Sequence, residues 1–157
     1  MSSRVIRTIV SSTTVVVVAL AGCAPPAAAS RQAVASGSFT SVQTSNTHIR
    51  TAGGDSFDLL VFSVTSVGGV TGVATDTFTA VTHADGSMNA DGTEVCGSCT
   101  IGGRTASYIA AFSLTVSVAG VLAGHLTFTS GSGGLAGLHG EGTFTAGTYS
   151  YTYRFAP

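Results

Sequence analysis

The 157-residue chain carries a formal charge of −1 at neutral pH, with only 8 % charged residues, no lysine and 21 glycines. So little positive charge excludes nucleic acid as a partner, because phosphate recognition needs a clustered basic footprint, and it argues against a polybasic membrane-binding face. Hydrophobic residues at 44 %, with abundant Ser, Thr and Gly, place the chain among folded β proteins and away from disordered ones.

In chain order, the first segment is an export signal. Arg4 and Arg7 form a positive start, an apolar run follows over residues 15–20, and small residues close it. Leu20-Ala21-Gly22-Cys23 resembles the lipobox of bacterial lipoproteins. That resemblance implies removal of residues 1–22 and a diacylglyceryl group on Cys23; two acyl chains hold a protein stably to a membrane where one does not. The alternatives are a plain secretory signal and a retained transmembrane helix. A helix needs about 20 mostly apolar residues, and Ser11-Ser12-Thr13-Thr14 interrupt the run. The expected location is therefore the cell envelope, lipid-anchored to the cell membrane or the outer membrane. Residues 23–35 lack an apolar period and read as a lipidated cysteine and flexible tether. Residues 36–157 remain as a single domain with enough chain for a core. Beyond the signal, Arg31, Arg50, Arg104 and Arg154 face seven acids.

Period-2 alternation dominates that domain, and no stretch holds a helical period. Tyr108, Phe112, Leu114 and Val116 share one face of a strand whose other face is Ser107, Ser113, Thr115 and Ser117. Leu122, Leu126 and Phe128 repeat the pattern opposite His125, Thr127 and Thr129, as do Tyr149, Tyr151, Tyr153 and Phe155 opposite Ser150, Thr152 and Arg154. Gly53-Gly54, Gly68-Gly69, Gly102-Gly103 and Ala119-Gly120 mark tight turns. Asp85-Gly86 and Asp91-Gly92 lie so close together that residues 84–93 read as one longer loop. Seven or eight strands with short connections predict an up-and-down antiparallel barrel or a β-sandwich.

The segment Ile101-Gly-Gly-Arg-Thr-Ala-Ser, then Gly120-Val-Leu-Ala-Gly-His-Leu-Thr-Phe, then Gly134-Leu-Ala-Gly-Leu-His-Gly-Glu-Gly142 resembles a bacterial family of unknown function whose members look like the allene oxide cyclase and dirigent barrels. The resemblance implies an eight-stranded antiparallel barrel and no established activity, since one fold hosts many functions. On this reading residues 130–142 cross one barrel end, Leu135 and Leu138 plug it, and Glu141 enters the last strand. A barrel of about eight strands is either packed solid or wide enough for one small ligand.

Few residues offer chemistry. Cys96-Gly-Ser-Cys99 admits a structural disulfide, two buried free thiols, a redox pair or half of a zinc site. A redox pair wants a helix N-terminus, and a glycine turn and a strand follow here instead. Zinc wants two more ligands, and neither a second Cys pair nor a spaced His pair exists. A disulfide suits an exported protein but requires Gly97-Ser98 to bulge, because residues three apart in a regular strand sit about 10 Å apart. His48, His83, His125 and His139 are scattered and read as surface side chains. No serine occupies a nucleophile elbow, and no cofactor motif is present. Asp58 and Asp76 are acids within strands. Asp76 shares a face with Ala74, Phe78 and Ala80, so it is the inward one and a candidate acid or base. Glu141, paired with Arg104 or Arg154, is the second catalytic candidate. The tyrosine ladder reads as core.

The function read from the sequence is that of a cell-envelope lipoprotein whose small barrel is non-catalytic and binds a small hydrophobic ligand or an envelope partner. Two alternatives stay open: a cyclase or isomerase working in the barrel cavity, and a purely structural surface protein.

Overall fold

The computed structural model describes residues 31–156; the expected signal peptide, Cys23 and most of the expected tether lie outside the described residues. Eight strands follow one another: β1 (Ala33–Ala52), β2 (Asp55–Gly68), β3 (Val70–Thr82), β4 (Met88–Ile101), β5 (Arg104–Val116), β6 (Leu122–Gly131), β7 (Leu138–Thr145) and β8 (Thr148–Phe155). Each pairs antiparallel with the next, and β8 pairs with β1 to close the barrel. The expected up-and-down barrel is therefore the fold, and the sandwich is excluded. We call the end where β1 begins the lower end.

Closure and tilt follow from the register. Cross-strand partners run Gln43, Phe62, Asp76, Glu94, Ala110, Phe128, Gly140, Tyr153 and return to β1 at Ala33, ten residues from the start. Such a stagger obliges the strands to tilt across the barrel axis. Alternation then sends one residue in two inward: on β5, Tyr108, Ala110, Phe112 and Leu114 are buried while the residues between them are exposed.

Large rings and missing side chains are matched across the interior. A Cβ on Gly92 would collide with Phe78, one on Gly124 with the ring of Phe144, and one on Gly142 with Tyr151. The rings fill those flat places and join edge to face, as in Phe78–Phe112 at 5.6 Å, Tyr108–Phe128 at 5.2 Å and Phe128–Tyr151 at 5.6 Å. Each such pair adds about 0.5–1.5 kcal/mol beyond the area it buries. Leu135, on a 3-10 turn (Gly133–Leu135), and Leu138 are 0 % and 1 % exposed and seal the lower end as predicted.

Three boundaries differ from the sequence reading. β1 begins at Ala33, inside the segment assigned to the tether, because Ala33 and Ala35 pair with Tyr153 and Tyr151. Residues 88–93 are strand, not loop. The connection is confined to the turn after His83, closed by Gly86 N–H donating to His83 O and by Asp85 accepting from Ser87. Gly92 thus marks a close approach inside a strand. Glu141 lies on the seventh strand, not the last.

β1 outruns its neighbour. It pairs with β8 only from Ala33 to Ser38 but with β2 as far as Ala52. The β1–β2 hairpin therefore rises past the β8 seam with a long unpaired edge, broken by bulges after Gln43 and His48. Bulges of this kind discourage edge-to-edge pairing.

Candidate functional site

Asp76 on β3 stands directly opposite Glu94 on β4, and both lie on the inward parity of their strands. Like charges placed directly opposite destabilise a sheet, so this pair needs an explanation. Glu94 is 8 % exposed, and the Tyr108 hydroxyl on β5 donates to its Oε1 at 2.7 Å. Asp76 Oδ1 is buried and receives a hydrogen bond from no protein group.

Removal from water pushes the Asp76 carboxyl up to about 8, and the negative charge of Glu94 beside it adds to the shift. Burial likewise raises Glu94, opposed by the hydrogen bond from Tyr108. The two acids titrate as a unit and hold protons that free carboxyls would release at neutral pH. Burial first, and Glu94 second, push the phenols of Tyr108 and Tyr151 far above their ordinary range, so both remain hydroxyl donors.

The pair lines a cavity of about 40 Å³ walled by Phe39, Val64, Ser66, Phe112, Leu126, Phe144 and Tyr151. That space holds a few water molecules and falls well short of the roughly 300 Å³ of an ordinary small-molecule pocket. Phe144 packs edge-on against Phe39 at 6.3 Å and against Phe112 at 6.2 Å. Any guest larger than water must turn these rings aside. Chemically, the arrangement offers an unpartnered acceptor oxygen at Asp76, two neighbouring carboxyls that retain protons, and a largely apolar wall.

Of the sequence candidates, Asp76 lies inside as expected. Glu141 does not. It is 68 % exposed on the outer surface of β7, its near neighbour is His125 Nε2 at 3.8 Å, and neither Arg104 nor Arg154 pairs with it. Even spacing placed it on the solvent parity, which removes it from interior chemistry. Cys96 and Cys99 form a disulfide across a Cα separation of 6.0 Å, and the β4–β5 register slips between them, as the required bulge at Gly97-Ser98 demanded. Asp58 sits on the raised hairpin, where its Oδ1 lies 2.9 Å from His48 Nδ1 and its Oδ2 accepts from Ser56. Thr51 Oγ1 lies 3.2 Å from His48 Nε2. This exposed chain of hydrogen bonds ties the two strands of the hairpin.

Glu94 is the site residue that sequence reasoning missed. Its signal was present: it shares parity with Ala90, Gly92 and Cys96, all directed inward. Assigning residues 84–93 to a loop cut that run short.

The class defined by these features is a closed eight-stranded antiparallel barrel with a buried carboxyl pair. No family model matches the chain, and no curated protein matches it. Among solved structures it is similar to the crystal structure of a protein of unknown function from the DUF3224 family of Shewanella oneidensis. The TM-score is 0.64 at 20 % identity, covering 81 % of this chain and 99 % of that one. At this identity the likeness shows the fold alone.

Proposed function

We propose that the chain is a cell-envelope lipoprotein, anchored through lipid on Cys23, whose barrel binds a small and largely apolar ligand carrying one hydrogen-bond donor. The observation that carries this reading is the buried Asp76 Oδ1, left without a protein partner in a cavity whose wall, apart from Glu94 and Ser66, is aromatic and aliphatic. A buried acceptor without a partner costs about 1–3 kcal/mol, and a ligand donor recovers it. The ring trio Phe39, Phe112 and Phe144 supplies the apolar contact once displaced.

Thermal-shift screening of the mature protein against lipids, terpenoids and aromatic alcohols or amines tests the ligand half. Stabilisation that is lost in Asp76→Leu, which removes the acceptor, supports it, and the absence of any shift eliminates interior binding. Mass spectrometry of protein isolated from membranes tests the anchor. A diacylglyceryl adduct on Cys23 is expected, and an intact residue 1 or an unmodified Cys23 overturns it.

A second reading is favoured by the carboxyl pair itself. Two contacting acids that share protons can supply an acid and a base in one site, as a cyclase or isomerase requires. Turnover of a bound ligand, abolished in Glu94→Gln with binding retained, would select this reading over simple binding.

A further inference from the structure

Composition dilutes the basic residues; the fold gathers them. Of the four arginines among the described residues, three stand at the lower end: Arg31 two residues before β1, Arg104 at the start of β5 and Arg154 one residue from the end of β8. All three are exposed, and among the described residues none has a carboxylate within 4.0 Å. Arg104 is held at the rim by the Phe155 ring, 4.0 Å beneath its guanidinium. The upper end carries the opposite sign. Asp55 and Asp85 adjoin its turns, Asp58 lies on the raised hairpin and Asp91 is three residues into β4, with Arg50 as the single arginine there. The acid nearest the lower end is the exposed Glu141, three residues into β7, which leaves the three arginines there in excess.

The chain also enters the barrel at the lower end. Nine residues lie between Cys23 and Ala33, and the ten Cα-to-Cα steps span at most roughly 35 Å when extended. We infer that the arginine-bearing lower end docks on the anionic headgroups of the membrane that holds Cys23, so that the barrel stands with its aspartate-bearing end outward. The inference rests on the lipoprotein reading above and adds the partner surface and the orientation.

Three arginines are too few to anchor a protein unaided, since polybasic anchors use four to eight. A tethered barrel needs only to be oriented. Each arginine near an anionic surface is worth about fivefold in population, so three bias the lower-end-down state roughly a hundredfold. The aspartates add repulsion to the inverted state. This orientation leaves Phe144, near the upper end of β7, and the cavity behind it facing away from the lipid.

The test uses lipidated protein in vesicles, with a fluorophore on Ala136→Cys at the lower end or Ala119→Cys at the upper end, and a headgroup acceptor for energy transfer. In vesicles containing phosphatidylglycerol, position 136 should transfer far more strongly than position 119. The difference should vanish in pure phosphatidylcholine, at about 1 M salt where the screening length falls to about 3 Å, and in the Arg31→Gln, Arg104→Gln, Arg154→Gln triple variant. Equal transfer from both positions, or a bias indifferent to lipid charge, overturns the inference. Should the triple variant fold poorly, the salt and lipid arms on otherwise native protein decide. Should Cys23 prove unlipidated in cells, the lipoprotein reading fails by itself. An N-terminal His-tag held by nickel-chelating lipid then still tests whether the arginine end is the face that docks.

Discussion

Asp76 and Glu94 face each other across the β3–β4 ladder inside the barrel, and the Tyr108 hydroxyl donates to Glu94 Oε1 while the buried Asp76 Oδ1 has no partner. Without a retained proton, two negative charges would share one low-dielectric space, which ordinary folding energies do not tolerate. The proton that keeps this pair folded is also the group that any acid, base or acceptor chemistry in the cavity would use.

That proton gives the barrel an inverted pH profile over the relevant range. A carboxyl raised from its ordinary value to about 8 binds a proton in the folded state that the unfolded chain releases. The stability the pair contributes is therefore greatest near pH 4 and falls as pH rises towards about 8. The melting temperature should drop across that window. Asp76→Asn should reduce the slope and be more stable than the parent at about pH 8 by about 1–3 kcal/mol, near the usual cost of a strained buried polar group. Parallel melting curves for the two proteins from pH 5 to 8 would refute the assignment.

Tyr108→Phe isolates the hydroxyl from the ring. The ring keeps its edge-on contact with Phe128 at 5.2 Å, while Glu94 Oε1 loses its donor at 2.7 Å. Stranding a buried acceptor should cost about 1–3 kcal/mol in urea denaturation. Because the lost bond opposed the upward shift of Glu94, the pH slope should steepen. A variant as stable as the parent, with an unchanged slope, would show that the hydroxyl does not support the pair.

How far the sequence carried can be judged from particular strands. β8 was legible residue for residue, because three tyrosines alternate with small polar side chains and no bulge disturbs them. The disulfide bulge was legible because geometry permits Cys96 and Cys99 to meet in no other way. Glu94 was hidden by Gly92, which reads as a turn residue but serves as a flat place beneath Phe78. Glu141 misled for the converse reason. A glycine-flanked acid in a supposed crossing segment looked functional, yet Gly140 and Gly142 are the inward residues, and Tyr153 and Tyr151 cover them. In both cases tertiary contact, absent from any local pattern, decided what the glycine meant. The unpaired upper edge of β1 was likewise invisible, because strand length says nothing about where the neighbouring strand stops.

Glycines of this kind should differ in what replacement costs. A Cβ on Gly92 meets backbone atoms, Thr77 O at 2.6 Å and Phe78 Cα at 2.9 Å, as well as the Phe78 side chain. The three atoms nearest a Cβ on Gly124 all belong to the ring of Phe144, a half-buried side chain with room to turn. Gly92→Ala should therefore destabilise by about 1–3 kcal/mol or more, and Gly124→Ala by clearly less. Gly124→Ala should also displace Phe144 from the cavity wall and alter ligand-induced thermal shifts. Equal losses in the two variants would contradict this account of how the rings are seated.

The disulfide supplies the last expectation. Its ring contains four residues, so the chain-entropy account allots it only about 2 kcal/mol. Both sulfur-bearing residues are almost wholly buried, Cys96 at 0 % and Cys99 at 1 % exposure, and a Cβ on Gly72 would press on Cys99 Sγ. Reductant should therefore act slowly on the folded barrel, at a rate set by local opening of the bulge, and quickly in urea. Once reduced, the domain should remain folded with its urea midpoint lowered to match a loss of about 2 kcal/mol. Rapid reduction without denaturant would show that the bulge opens freely, and complete unfolding on reduction would mean that the bridge holds far more of the barrel together than its small ring can explain.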